Sequence, residues 1–146
     1  MNTEKVESCF QMIGARVVDY KLHNDFVSID GNEKKKLDMT HTISQIRKNS
    51  DDCVLGIMQL TLKIQLWKGK EKLKIDLTIE GCFKAPEDMA DDEFEKMLNV
   101  NGTAALYSIA RSFVLSNTSQ VLLDGKVILP MVNVVEYSRS NEQTKE

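Results

Sequence analysis

Residues able to do chemistry are few in this chain, and they do not converge. His23 and His41 are the only histidines. His41 lies between threonines in an alternating segment, where a hydrogen-bonded structural imidazole is expected rather than a general base. Cys9, Cys53 and Cys82 are odd in number and widely spaced, without a C-x-x-C pair. That pattern suits reduced thiols better than a zinc site or a disulfide framework. Glu87, Asp88, Asp91, Asp92 and Glu93 gather negative charge. Their spacing departs from that of a calcium loop and fits the solvated start of a helix, where the dipole favours acids. Gly56, Gly69, Gly81, Gly102 and Gly125 stand singly, so no phosphate-cradling loop is formed, and no G-x-S-x-G elbow occurs. The expectation is a protein that is not an enzyme and uses no metal and no cofactor.

The segments that carry these residues are clearer than any site. From Lys70 to Phe83, Leu73, Ile75, Leu77 and Ile79 share one face of a strand while Lys72, Lys74, Asp76, Thr78 and Glu80 share the other. Val54, Met58, Leu60, Leu62, Ile64 and Leu66 repeat the pattern upstream, and Trp67-Lys68-Gly69-Lys70 joins the two runs as a hairpin turn. Val6 to Leu22 alternates imperfectly; Phe10, Met12, Val18, Tyr20 and Leu22 are placed on one face of a first strand bulged near Gly14. His23 to Lys36 is a surface loop holding Phe26, and Leu37 to Ile46 is a second strand.

Past Pro86 the period changes. A helix opens at the acidic residues near Asp91 and carries Phe94, Met97 and Leu98, and Asn99 to Gly102 interrupts it. A second helix is predicted from Thr103 to about Ser116, with Leu106, Ile109, Ala110, Phe113 and Val114 at helical spacing. Asn117 to Gly125 is a loop, Lys126 to Tyr137 an extended segment around Pro130, and 138–146 a polar tail. The fold class is α+β: four antiparallel strands followed by broken helices packed on one face, in a single domain over 1–146.

Composition bounds the partners. The chain is 42% hydrophobic and 28% charged, with net charge -3. No basic stripe is visible, which argues against nucleic acid. No apolar run approaches the roughly 20 residues of a membrane span, and MNTEKVESCF lacks the order of a secretory signal. A cytoplasmic protein is expected, without membrane insertion. The hairpin offers a long apolar face, and leaving a row of Leu and Ile in water costs roughly 1.5–3 kcal/mol each. Either the helix at Thr103 and the segment at Lys126 cover it completely, or part of it meets another chain.

The order of motifs also resembles a known family. Phe10-Gln11 opening the first strand, Asp19 near its end, Leu37-Asp38-Met39, Val54 to Leu66 and Gly81-Cys82-Phe83 follow one another as in the SecB family of export chaperones. Leu98 before a helix break, Leu106-Tyr107 with Ala110-Arg111, and Leu129-Pro130 with Asn133 continue the match, closest to a divergent SecB-like branch. The resemblance implies a homotetramer built as a dimer of dimers, with helices sandwiched between two sheets. It implies an ATP-independent holdase that binds unfolded polypeptide clients in hydrophobic grooves and can serve protein export. On this chain the resemblance assigns the polypeptide-binding role to Phe26, Phe83, Tyr107 and Leu129; Phe83 and Tyr107 serve equally well as core.

Departures from the family bear on its partner. Docking to the SecA motor would fall to Asp19 and Asp76. His23 and Lys74, however, stand where an acidic and an apolar residue are expected, which weakens the electrostatic match. The helix reads Leu-Tyr-Ser-Ile-Ala-Arg without the proline of the export proteins, and nine residues follow Tyr137, too few for the family's long last helix. A dedicated chaperone of a toxin–antitoxin system and a scaffolding oligomer without general client binding are the alternative functions.

Overall fold

The computed structural model describes residues 8–49 and 52–143. Strands β1 (Gln11–Asn24), β2 (Lys34–Asn49), β3 (Cys53–Lys68) and β4 (Glu71–Pro86) form one antiparallel sheet in the order β1-β4-β3-β2. β3 and β4 meet at a turn whose Gly69 has φ of 60°, the positive value that such hairpin turns require at a central position. Their alternation is the one read from the sequence: Met58, Leu60, Leu62, Ile64 and Leu66 on β3 and Leu73, Ile75, Leu77 and Ile79 on β4 are all buried.

β1 departs from its predicted phase only between two bulges, and Met12, Tyr20 and Leu22 pair with the inward Phe83, Leu77 and Ile75. Register shifts fall between Met12 and Gly14 and between Val17 and Asp19. Each bulge moves the following residues to the opposite face, and the second restores what the first reversed. The expected bulge near Gly14 is present, but Val17 rather than Val18 pairs with the inward Ile79. Val6 and Glu7 lie outside the described residues, and the strand itself begins at Gln11. β2 begins earlier than its composition suggests. Lys34, Lys35 and Lys36 pair with Trp67, Leu66 and Gln65, so the lysine run is strand and not loop. The ladder offered by the long β3 outweighs the weak strand preference of lysine.

α1 (Asp91–Met97) and α2 (Thr103–Val121) are joined without a break. Leu98–Gly102 is a π-helical turn in which the Thr103 amide donates to the Leu98 carbonyl. The asparagines and glycine there predict an interruption. Instead the widened turn seats on the sheet, where glycines make room for it: a Cβ added at Gly56 would lie 2.7 Å from Leu98 Cδ1, and one at Gly81 would lie 2.7 Å from Leu106 Cδ2. The G-x-F of the sequence thus provides a seat for α2 at Gly81 and a fully buried ring at Phe83.

α2 also continues past Ser116 to Val121. Asn, Thr and Ser in that stretch look like a loop, but their side chains bond back to the preceding turn: Asn117 Nδ2 to the Phe113 carbonyl (2.9 Å), Thr118 Oγ1 to the Val114 carbonyl (2.8 Å) and Ser119 Oγ to the Ser116 carbonyl (2.8 Å). The buried Thr118 hydroxyl in turn accepts the Val127 amide at 2.9 Å, tying the extended segment 122–133 to the helix. Thr118→Val keeps the shape and removes that acceptor. The expected loss in urea unfolding is about 1–3 kcal/mol, the cost of a buried unpaired amide.

The predicted polar tail from Ser138 is instead largely helical, α3 (Val134–Gln143). Asn133 Oδ1 accepts the Glu136 amide at 3.2 Å as a cap, and Tyr137 is anchored on β2 through His41. A single long helix and an extended segment cannot cover four strands: the inner faces of β3 and β4 are buried, while Met12 and Val17 on the inner face of β1 remain exposed.

Candidate functional site

Of the polar groups singled out from the sequence, His41 is tied into the packing of the fold. His41 points into the inner face of the sheet, opposite Leu60. Its Nδ1 lies 2.8 Å from the Tyr137 hydroxyl and its Nε2 lies 2.8 Å from Asn99 Oδ1. In the neutral ring Nε2–H donates to the amide oxygen and Nδ1 accepts the phenol proton, so both nitrogens are occupied. The acidic residues Asp91, Asp92 and Glu93 fill the first turn of α1 and are exposed.

Phe26, Phe83, Tyr107 and Leu129 are all buried within the chain. Phe26 is held by Asn24, whose Oδ1 accepts the Phe26 amide (2.8 Å) while its Nδ2 donates to the Phe26 carbonyl (2.9 Å). Phe83 stacks on Phe10 with ring centroids 5.2 Å apart. The Tyr107 hydroxyl donates to the Pro130 carbonyl, and Arg111 Nε donates to that of Leu129 at 3.2 Å. Burial pushes the Tyr107 phenol above its ordinary range, against the opposing charge of Arg111. The structure does not bring these four side chains together on one open surface.

Each of them nevertheless adjoins an apolar residue that is open to solvent. Phe26 precedes Val27 (69% exposed) and Leu129 follows Ile128. The carbonyl held by Tyr107 precedes Met131 (87% exposed), and Phe83 is the β4 partner of the exposed Met12. Two strips result. One follows the edge strand β1 through Met12, Ile13, Val17 and Val18. The other follows the loop after β1 and the segment after α2. There the Leu123 amide donates to the Val27 carbonyl at 2.8 Å and the Ile29 amide to that of Asp124 at 3.1 Å, which brings Val27 beside Leu123 (86% exposed), with Ile128 and Met131 further along the same segment. Apolar residues exposed in clusters are the feature from which a docking surface on a small protein is built. Among the described residues β1 is an edge strand with no neighbour on its outer side, the geometry that strand addition uses.

Sequence reasoning missed the second strip. Its signal was present in Leu122-Leu123 and Val127-Ile128-Leu129, because adjacent residues of an extended chain cannot all point inward. Between the strips, Tyr20 meets Phe113 of α2 edge to face at 4.9 Å and closes the inner face of the sheet there.

The outer face of the sheet is polar. Asp19 and Asp76 are both exposed on it, Asp19 opposite Thr78 and Asp76 between Lys21 and Lys63. Further along, Glu80 accepts from Gln59 at 3.1 Å and from Arg16 at 3.0 Å. Those bonds, that of Gln59 first, hold its carboxyl below the usual range.

No protein-family model matches the chain, and no curated protein matches it at a significant level. Solved structures do. The SecB-like chaperone Rv1957 of Mycobacterium tuberculosis, in complex with a ChAD peptide from the Rv1956 HigA1 antitoxin, superposes with a TM-score of 0.61. It is 12% identical, over 84% of this chain and 90% of that one. A protein of unknown function from Streptococcus agalactiae, 14% identical, aligns over 84% of this chain and 97% of its own with a TM-score of 0.48. This chain has a SecB-like fold, α+β, with its four-stranded antiparallel sheet followed by helices.

Proposed function

We propose that this chain is an ATP-independent chaperone that holds non-native polypeptide on its two apolar strips. The observation carrying this reading is the pairing of a SecB-like fold with exposed apolar residues along β1 and at Val27, Leu123, Ile128 and Met131. A client held without sequence preference needs non-directional apolar burial and backbone pairing, and the strips with the β1 edge offer both. Phe26, Phe83, Tyr107 and Leu129 fix the strips from below, and client contact passes to their exposed neighbours. The protein works in the cytoplasm as a homotetramer, a dimer of dimers, with no enzymatic step; repeated weak sites on one assembly raise the affinity for a long client by avidity.

Two destinations for the client fit this reading. Export through SecA would use Asp19 and Asp76, but the lysines on either side of Asp76 leave little negative field for a basic partner. A chaperone dedicated to one partner of a toxin–antitoxin system is favoured by the peptide complex of the Mycobacterium tuberculosis protein. A scaffolding oligomer is the rival from another class, since it would consume both strips in self-association. An environment-sensitive apolar dye separates these: strong emission with the native assembly supports open strips, and emission no higher than with a typical folded globular protein supports the scaffold.

A further inference from the structure

The fold assembles a basic site that is invisible in the net charge. On the outer face, Trp67 of β3 stands directly between Lys34 of β2 and Lys72 of β4. The next rung on that face is Lys36, Gln65 and Lys74, and His23 of β1 completes it. Lys36 lies 3.7 Å from Asp38, Lys68 lies 3.9 Å from Asp30, and His23 is paired with Asp25 at 2.9 Å. Among the described residues the ammonium groups of Lys34, Lys72 and Lys74 have no carboxylate within 4 Å, while the backbone amide of Lys72 donates to Asp25 Oδ2 at 3.1 Å. The half-buried indole lines a shallow depression of about 260 Å³ with Gln65, Leu66, Lys72 and Lys74, and a second of about 400 Å³ with Lys34 and Lys68.

We infer that this rung is a docking site for a short acidic peptide segment of a partner protein, separate from the client strips. Ammonium groups on both sides of a half-buried aromatic ring attract carboxylates, and the accessible part of the ring gives the peptide an apolar surface to rest on. The extent of the positive field sets the kind of anion. Two rungs span only about 7 Å along the strands, and the third rung already carries Asp38 and Asp76 beside Lys63 and Lys21. A nucleic-acid backbone continuing along the face would meet those carboxylates, whereas a few consecutive Asp or Glu side chains fit within the two rungs. A partner recognised here carries the charge opposite to that of a motor which docks on acidic residues.

Trp67 is the only tryptophan in the chain, so its emission reports on this site alone. Titration of the native protein with oligo-glutamate at low ionic strength is expected to give a saturable change in emission, weakened by added salt. Lys34→Glu together with Lys72→Glu should reduce the apparent affinity by about tenfold, as two attractive surface pairs turn repulsive, with circular dichroism and capture of unfolded polypeptide unchanged. Lys74→Glu alone provides a second, milder variant. No saturable response, or an equal response in the charge-reversed protein, overturns the proposal. A response to single-stranded oligothymidylate or to phosphatidylserine vesicles, but not to oligo-glutamate, overturns it in favour of nucleic acid or membrane.

Discussion

Phe83→Ala is expected to lower the free energy of unfolding by about 3–5 kcal/mol, the range for removing a large aromatic side chain from a packed interior. Phe83 has no solvent exposure, stacks on Phe10, and lies close to Gly81 and Gly102, where the helical layer meets the sheet. A hole there loosens three things together: the N-terminal approach to β1 through Phe10, the π-helical turn over Met58, and α2 over β4. Urea unfolding followed by circular dichroism measures the loss. A loss below about 1 kcal/mol, accompanied by a selective defect in polypeptide binding, would instead assign Phe83 to a groove that opens to the client.

The second large effect concerns the exposed strip. Leu123→Asp combined with Met131→Asp should weaken capture of an unfolded polypeptide by about a hundredfold. Each buried apolar side chain of this size contributes at least roughly 1.5 kcal/mol to an interface, and a carboxylate in its place must also be desolvated. Both side chains are more than four-fifths exposed in the single chain, so stability should change by no more than about 0.5 kcal/mol. Titration of a fluorescently labelled reduced polypeptide measures the first quantity and urea unfolding the second. Unchanged affinity with unchanged stability would remove this strip from the binding surface and leave the β1 edge alone.

What was legible in the sequence follows from the range of the interactions involved. β3 and β4 were readable because period-two alternation is a local property and both strands lie in the middle of the sheet with one face covered. β1 runs from Gln11 to Asn24 rather than from Val6 to Leu22. Its phase is as read at Met12, Tyr20 and Leu22 but not at Val18, since a bulge is set by the partner strand: Val17 faces inward because of where Ile79 sits. The end of α2 was lost because Asn117, Thr118 and Ser119 satisfy their side chains on helix carbonyls, a choice made only when the helix is already in place. The helix α3 depended on His41, 96 residues away from Tyr137, for its anchor. For the residues assigned a binding role, the sequence left Phe83 and Tyr107 open between groove and core, and the burial of all four depends on where α2 and the segment 122–133 lie on the sheet. The lysine rung is the extreme case. Lys34 and Lys72 are distant in the sequence and become neighbours of Trp67 only through the register of three strands.

The most direct test of the account is to mix the native protein with a slow-folding, reduced polypeptide and measure mass by light scattering on a sizing column, with the same polypeptide in its folded form as control. The account predicts a tetramer that gains mass in a fixed ratio with the unfolded form and gains none with the folded one. A clean oligomer of unchanged mass in both mixtures would contradict it, and would leave a SecB-like fold whose apolar strips serve self-association.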